Sequence, residues 1–183
     1  MPTRKPLRLP EYAYSTPGAY FITVCTENKL PILGCLVCAD TPADPLVGAD
    51  DHIGPTPIPM PHVGADDHIG PYTQLSKIGK VVEHYTKSIP GIDRYVVMPD
   101  HVHMIILVSA EDLLQGPMWS SAPTKRSIST TIRTWKTLIT KELGSSIWQR
   151  SYYEHVIRNE QDYWEIVRYI QENPAKRYYR RGR

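Results

Sequence analysis

Two histidines separated by one residue, His101-Val102-His103, are the side chains of this sequence best suited to chemistry. In a β-strand, residues i and i+2 leave by the same face, roughly 6.6 Å apart along the backbone, so two imidazoles can converge on one metal ion. Val102 then enters the opposite, buried face. The preceding Met98-Pro99-Asp100 reads as a turn and puts the pair at the start of its strand. A polar sheet face carrying two surface histidines would have the same spacing, which alone does not separate the two cases. A histidine pair leaves coordination positions empty, and the last helical stretch offers candidates for them. Tyr169 and Asn173 are four residues apart and share a helix face. A phenol could serve there as nucleophile and an amide oxygen as metal ligand. Glu165 continues the row and Glu172 stands beside it. Tyrosines at helical spacing also arise from packing alone.

The elements that must position these residues can be read from the pattern. Ala19–Thr26 is rich in β-branched and aromatic residues and predicts a strand. Thr73–Ser88 places Leu75, Ile78, Val81, Val82 and Tyr85 at helical spacing, and Pro90-Gly91 closes it. Ile92–Met98 and His101–Val108 flank Pro99-Asp100 as two antiparallel strands. Residues 109–126 read as a polar loop. Ser127–Glu142 gathers Ile128, Ile132, Trp135 and Ile139 on one face and stops at Gly144. Trp148–Ile157 reads as an edge strand, and Glu160–Asn173 as a helix ended by Pro174. The order β, insert, α, β, β, α, β, α predicts an α+β fold, an antiparallel sheet with helices packed mainly on one face.

Composition bounds the class of protein. With 183 residues and 41% hydrophobic content, the chain suits a single globular domain. It contains no apolar run of the ~20 residues that a membrane helix needs, and its N-terminus lacks the apolar core of a signal peptide. A cytoplasmic location with no membrane partner is expected. The net charge of +2 is unevenly spread. Residues 40–71 hold six aspartates and no Lys or Arg, so the remaining chain carries +8, five of these charges lying in Lys176–Arg183. Such clustering suits a polyanionic partner, although basic tails also merely keep proteins soluble. Val47–Pro55 and Val63–Pro71 are the same nine residues, VGADDHIGP, which together with their Pro-rich spacer predict a flexible insertion at 39–71. Cys25, Cys35 and Cys38 are an odd set without a second Cys pair, which argues against a disulfide framework and against a zinc site.

Three segments together resemble the single-tyrosine HUH transposases, specifically the REP-associated tyrosine transposases. They are Tyr20–Thr26 (YFITVCT), Val96–His103 (VVMPDHVH), and Trp148–Asn159 (WQRSYYEHVIRN) continuing through Asp162-Tyr163, Tyr169 and Asn173-Pro174. Order and spacing match over residues 12–38 and 72–176. The resemblance implies a ferredoxin- or RRM-like sandwich typical of HUH nucleases. It makes His101, His103 and Asn173 the metal ligands and Tyr169 the nucleophile, with Tyr163 as second choice. It implies Mg²⁺ or Mn²⁺, whereas softness of two imidazoles and an amide alone would suggest Zn, Fe or Ni. It also implies single-stranded DNA with hairpins as substrate, a 5′-phosphotyrosine intermediate, and a homodimer. An unassisted phenol, with an ordinary pKa near ~10, is a poor nucleophile at neutral pH, so an ion on the scissile phosphate would offset that handicap. Arg133, Lys136, Lys141, Arg150, Arg158, Lys176 and Arg177 are candidate phosphate contacts, and Tyr152 and Tyr153 candidates for packing or for touching DNA. The insertion at 39–71 and the short basic tail at 175–183 depart from the family.

Two other classes compete. Histidine-triad nucleotide hydrolases need a third histidine where this chain has Ile105. A non-catalytic RRM-like nucleic-acid binder would display Tyr20, Phe21 and Tyr95 on its sheet, but no Gly-aromatic RNP motif is present.

Overall fold

The computed structural model describes residues 17–38, 70–109 and 127–181. The first Asp-rich repeat and all of the second but Gly70 and Pro71 lie outside the described residues, as does most of the loop before the second helix. The central sheet contains β1 (Gly18–Cys25), β4 (Ile92–Met98), β5 (His101–Val108) and β6 (Tyr153–Ile157). Its order is β4-β5-β1-β6 with every neighbour antiparallel. A separate ribbon pairs β2 (Gly34–Val37) with β3 (Tyr72–Leu75). The helices are α1 (Lys77–Lys87), α2 (Ile128–Leu143) and α3 (Glu160–Arg181). The α+β architecture is the expected one.

Alternation along the strands creates two cores. Tyr20, Ile22 and Val24 of β1, with Val102, Met104 and Ile106 of β5, face α1 and α2, where they meet Val82, Ile132, Trp135 and Ile139. Phe21 and Ile105 point the other way and pack with Ile157 and with Val167 and Ile170 of α3. The third helix therefore covers the opposite face, the one to which His101 and His103 belong. Two helices share one face as expected, and the third encloses the chemical side.

Three boundaries differ from the sequence reading. Residues 72–75 are a strand rather than the first turn of α1, because Gly34–Val37 pairs with them residue for residue. The helix begins after Ser76, whose hydroxyl accepts from the Gly79 N–H at 3.0 Å and donates to the Ile32 carbonyl at 2.7 Å. Gly79 is required there, since a Cβ would stand 1.9 Å from the Leu33 carbonyl oxygen. The expected edge strand shortens to β6, with Trp148 making only an isolated bridge to Thr26. Finally, α3 does not stop at Pro174 but runs on to Arg181. An interior proline costs about 3 kcal/mol, and contacts made by the extension offset this. Residues 175–181, expected as a basic tail, are thus helix.

The β4–β5 turn is anchored firmly. The Asp100 carbonyl accepts from both the N–H and the hydroxyl of Thr26, each at 2.9 Å, and the Pro99 carbonyl accepts from Leu33 N–H at 2.9 Å. The start of the histidine strand is consequently held by the segment that follows β1.

Candidate active site

The two histidines open β5 and, as expected from their spacing, turn to one face. Their Nε2 atoms lie 3.0 Å apart, and Val102 is fully buried on the other side. Each ring is held by its Nδ1. Asp100 Oδ1 stands 2.6 Å from His101 Nδ1, and Thr23 Oγ1 lies 2.8 Å from His103 Nδ1. Thr23 is available because β1 pairs with β5 in a register that sets it directly across from His103. Phe21, two residues earlier on the same face, stacks on the His103 ring with centroids 5.4 Å apart.

The tyrosine helix brings Tyr169 over this pair. Its hydroxyl is 3.3 Å from His103 Nε2, and Phe21 meets its ring edge-on at 6.0 Å. The residue as a whole is 42% exposed, so it touches His103 while part of its surface remains open to solution. All three side chains come from one chain. Tyr163, the second choice for nucleophile, is engaged elsewhere, donating from its hydroxyl to Asp93 Oδ2 at 2.6 Å.

Continuation of the helix past Pro174 adds a residue that the sequence reading had assigned to DNA. Arg177 donates to both oxygens of Asp100, Nη1 to Oδ1 at 2.5 Å and Nη2 to Oδ2 at 2.7 Å. Asn173 sits between Tyr169 and Arg177 in the same i, i+4 row, and both of these neighbours reach the histidine pair. Among the described residues, no group of three His, Cys, Asp or Glu side chains is arranged to hold a metal ion. Among the described residues, a donor completing a set with the two imidazoles would therefore be of another residue type.

Electrostatics keep both rings neutral. Burial lowers the His101 pKa against the opposing hydrogen bond from Asp100. Burial, reinforced by the neighbouring His101, lowers that of His103 to about 3. Burial would raise the Asp100 pKa, but hydrogen bonds from Arg177 and His101 outweigh it and bring the group to about 2. A carboxylate beside neutral imidazoles is the protonation pattern of a ligand pair ready to donate lone pairs.

The remaining basic candidates separate into groups. Arg133, Lys136, Lys141 and Arg150 line one groove of about 430 Å³ beside α2, on the face opposite the histidines. Lys136 is committed within it, donating to the Gln149 carbonyl at 2.8 Å and the Ser151 carbonyl at 3.2 Å. Arg158 is exposed, and Lys176 pairs with Glu172 at 2.6 Å. Tyr152 donates to Ser129 Oγ at 3.2 Å, whereas Tyr153 is half exposed and meets Phe21 edge-on at 6.5 Å. The display that an RRM-like binder would need is not present, since Tyr20 is fully buried and Phe21 is 8% exposed. Cys35 contacts Gln74 at 3.8 Å. No described helix is long and apolar enough to cross a membrane.

Sequence reasoning missed Thr23, Phe21 and Asp100 as neighbours of the histidine pair and did not foresee the contact of Arg177 with Asp100. Arg177 carried a readable signal, because it extends the Tyr169, Asn173 row by one more step of four. Ending the helix at Pro174 hid it.

No family model matches the chain. An uncharacterized protein of Haemophilus influenzae is 29% identical over 190 aligned positions, covering 93% of this chain and 88% of that protein. The REP-associated tyrosine transposase of Escherichia coli is 34% identical over 86 residues, 46% of this chain and 44% of its own. A putative REP-associated tyrosine transposase of H. influenzae is 29% identical over 99 residues, 53% and 54% of the two chains. The chain thus spans about half the length of the two relatives that carry a functional name. Among solved structures, that of a REP-associated tyrosine transposase bound to a REP hairpin superposes with a TM-score of 0.51 at 20% identity, over 93% of this chain and 74% of that one. In part of its sequence and in its fold, the chain is similar to the REP-associated tyrosine transposases.

Proposed function

We propose that this protein cuts and rejoins single-stranded DNA bearing hairpins through a covalent bond to Tyr169. One observation carries the reading: the Tyr169 phenol oxygen stands 3.3 Å from the nearer of two imidazole nitrogens that are themselves 3.0 Å apart. In the proposed step the Tyr169 oxygen attacks the scissile phosphorus and the bond to the 3′ oxygen breaks. The phenol gives up its proton, and the products are a 5′-phosphotyrosine and a leaving 3′ oxygen that takes up a proton to become a hydroxyl. The phosphotyrosine bond stores the energy of the broken one, so a 3′-hydroxyl from a second end can reverse the step without a nucleotide cofactor.

The donor set fits a divalent ion, because both Nδ1 atoms are occupied and both Nε2 atoms face one point. His101, His103 and Asn173 would hold Mg²⁺ or Mn²⁺, which when bound stabilises charge on the phosphate in the transition state. The row from Tyr169 to Arg177 supports a ligand role for Asn173, since the residues one turn before and after it both reach the histidines. Arg133, Lys141 and Arg150 suit the phosphates of a hairpin stem, while Lys136 holds the groove wall in place.

A labelled hairpin oligonucleotide incubated with the protein and Mn²⁺ tests the reading on a denaturing gel. The wild type is expected to leave a covalent protein–DNA band that Tyr169→Phe lacks. No band from the wild type, or an equal band from Tyr169→Phe, would rule the reading out.

A further inference from the structure

We propose that Arg177 and Asp100 form a positioning pair that fixes which nitrogen of His101 is free to bind a metal and at the same time sets the tyrosine helix against it. The inference rests on the metal-ligand role of His101 proposed above. A carboxylate can only accept, so the 2.6 Å contact with Asp100 Oδ1 gives His101 Nδ1 the proton, and the Arg177 Nη1 donor, 3.3 Å from the same nitrogen, is directed instead to the Asp100 oxygens. The Nε2 lone pair is then left facing His103. That assignment lasts only while the carboxylate keeps its orientation. The Arg177 fork grips both oxygens, which prevents the carboxylate plane from turning away, and the backbone beneath it is pinned by Thr26. A lysine, with one point of contact, could neutralise the charge but not hold the plane.

The same pair has a second consequence. Arg177 lies eight residues beyond Tyr169, about 12 Å along the helix axis, with Asn173 midway. Anchoring its guanidinium to the residue immediately before His101 ties the rotation and height of the nucleophile's helix to the position of the ligand. At the other end of α3, Tyr163 is bound to Asp93 on β4. The helix is thus fastened to the β4–β5 hairpin on both sides of Tyr169. Arg177 had seemed a phosphate contact from sequence, but its guanidinium is taken up by Asp100.

The test uses the full chain, free of metal and DNA, labelled with ¹⁵N for imidazole spectra. In the wild type, His101 is expected as a single tautomer with the proton on Nδ1. In Arg177→Met it is expected as a mixture, and Mn²⁺ affinity should fall by about 10- to 100-fold, the usual effect of losing such a partner. In cleavage of the hairpin oligonucleotide, kcat should fall with KM nearly unchanged, Arg177→Lys restoring little. Asp100→Asn retains an oxygen that can accept from Nδ1 but loses the charged fork. With its amide free to present either oxygen or NH2 to Nδ1, it should mix the tautomers as Arg177→Met does, lower kcat, and show no further loss when combined with Arg177→Met. Two results would overturn the proposal: an unchanged tautomer with Mn²⁺ affinity within twofold in Arg177→Met, or a defect confined to a salt-dependent KM, the mark of a phosphate contact. The spectra and Mn²⁺ titration need no DNA, so the pair can fail while the covalent band remains, and the band can fail while the pair stands.

Discussion

Replacing Thr23 by valine should weaken both the fold and the metal site, and the size of each effect follows from the geometry around His103. The substitution keeps side-chain shape and removes one hydroxyl. That hydroxyl lies 2.8 Å from His103 Nδ1, and His103 is only 5% exposed, so no solvent replaces the lost partner readily. A buried polar atom deprived of its hydrogen bond costs about 1–3 kcal/mol. The methyl that valine supplies regains little, because the position is only half-buried. Urea unfolding of the metal-free protein should therefore show a lower midpoint with an unchanged slope. The second effect is on binding. With Nδ1 unpartnered, the ring is free to rotate or to place its proton on Nε2, and Mn²⁺ affinity should drop by about 10- to 100-fold. Thr23→Ser, which retains the oxygen, should recover most of both. If Thr23→Val unfolds within about 0.5 kcal/mol of the wild type and binds Mn²⁺ equally well, the hydrogen bond does not hold the ring and the site is organised by other contacts.

Acid should destabilise the metal-free protein through His103. Its folded pKa is lowered to about 3, whereas the unfolded chain takes up the proton near the ordinary value of 6.5. The stabilising contribution is therefore complete above pH 6.5 and is lost as pH falls from there toward 3. Urea titrations at several pH values should show a shallower decline over that window for His103→Asn than for the wild type, and parallel curves would refute the assignment. The two tyrosines of α3 should separate cleanly. Tyr163→Phe is expected to lose about 1 kcal/mol of stability with its bond to Asp93 and to keep forming the covalent DNA band, whereas Tyr169→Phe should lose the band and little stability. A stable but inactive Tyr163→Phe would transfer the nucleophile's role to Tyr163.

The sequence by itself determined the four strands of the central sheet, the three helices and the pairing of imidazoles, but not the β2–β3 ribbon. Apolar runs around Pro99-Asp100 define the hairpin, and strand alternation sends His101 and His103 to one side with Val102 to the other, because the side-chain period of a strand is two whatever surrounds it. The i, i+4 relation of Tyr169 and Asn173 is equally local. Tertiary structure alone decided which face α3 would cover, and hence that Tyr169 would stand over His103 while Tyr163 turned to Asp93. It also decided the cross-strand register that gives His103 its Thr23, since register depends on how two distant segments bury their faces together. The fate of Pro174 belongs to the same class. Local propensity ends a helix there, but α3 continues, and its extension carries Arg177 to Asp100, a partner 77 positions away. Helix propensity is a weak preference of a few kcal/mol at most, and contacts between distant segments are large enough to override it.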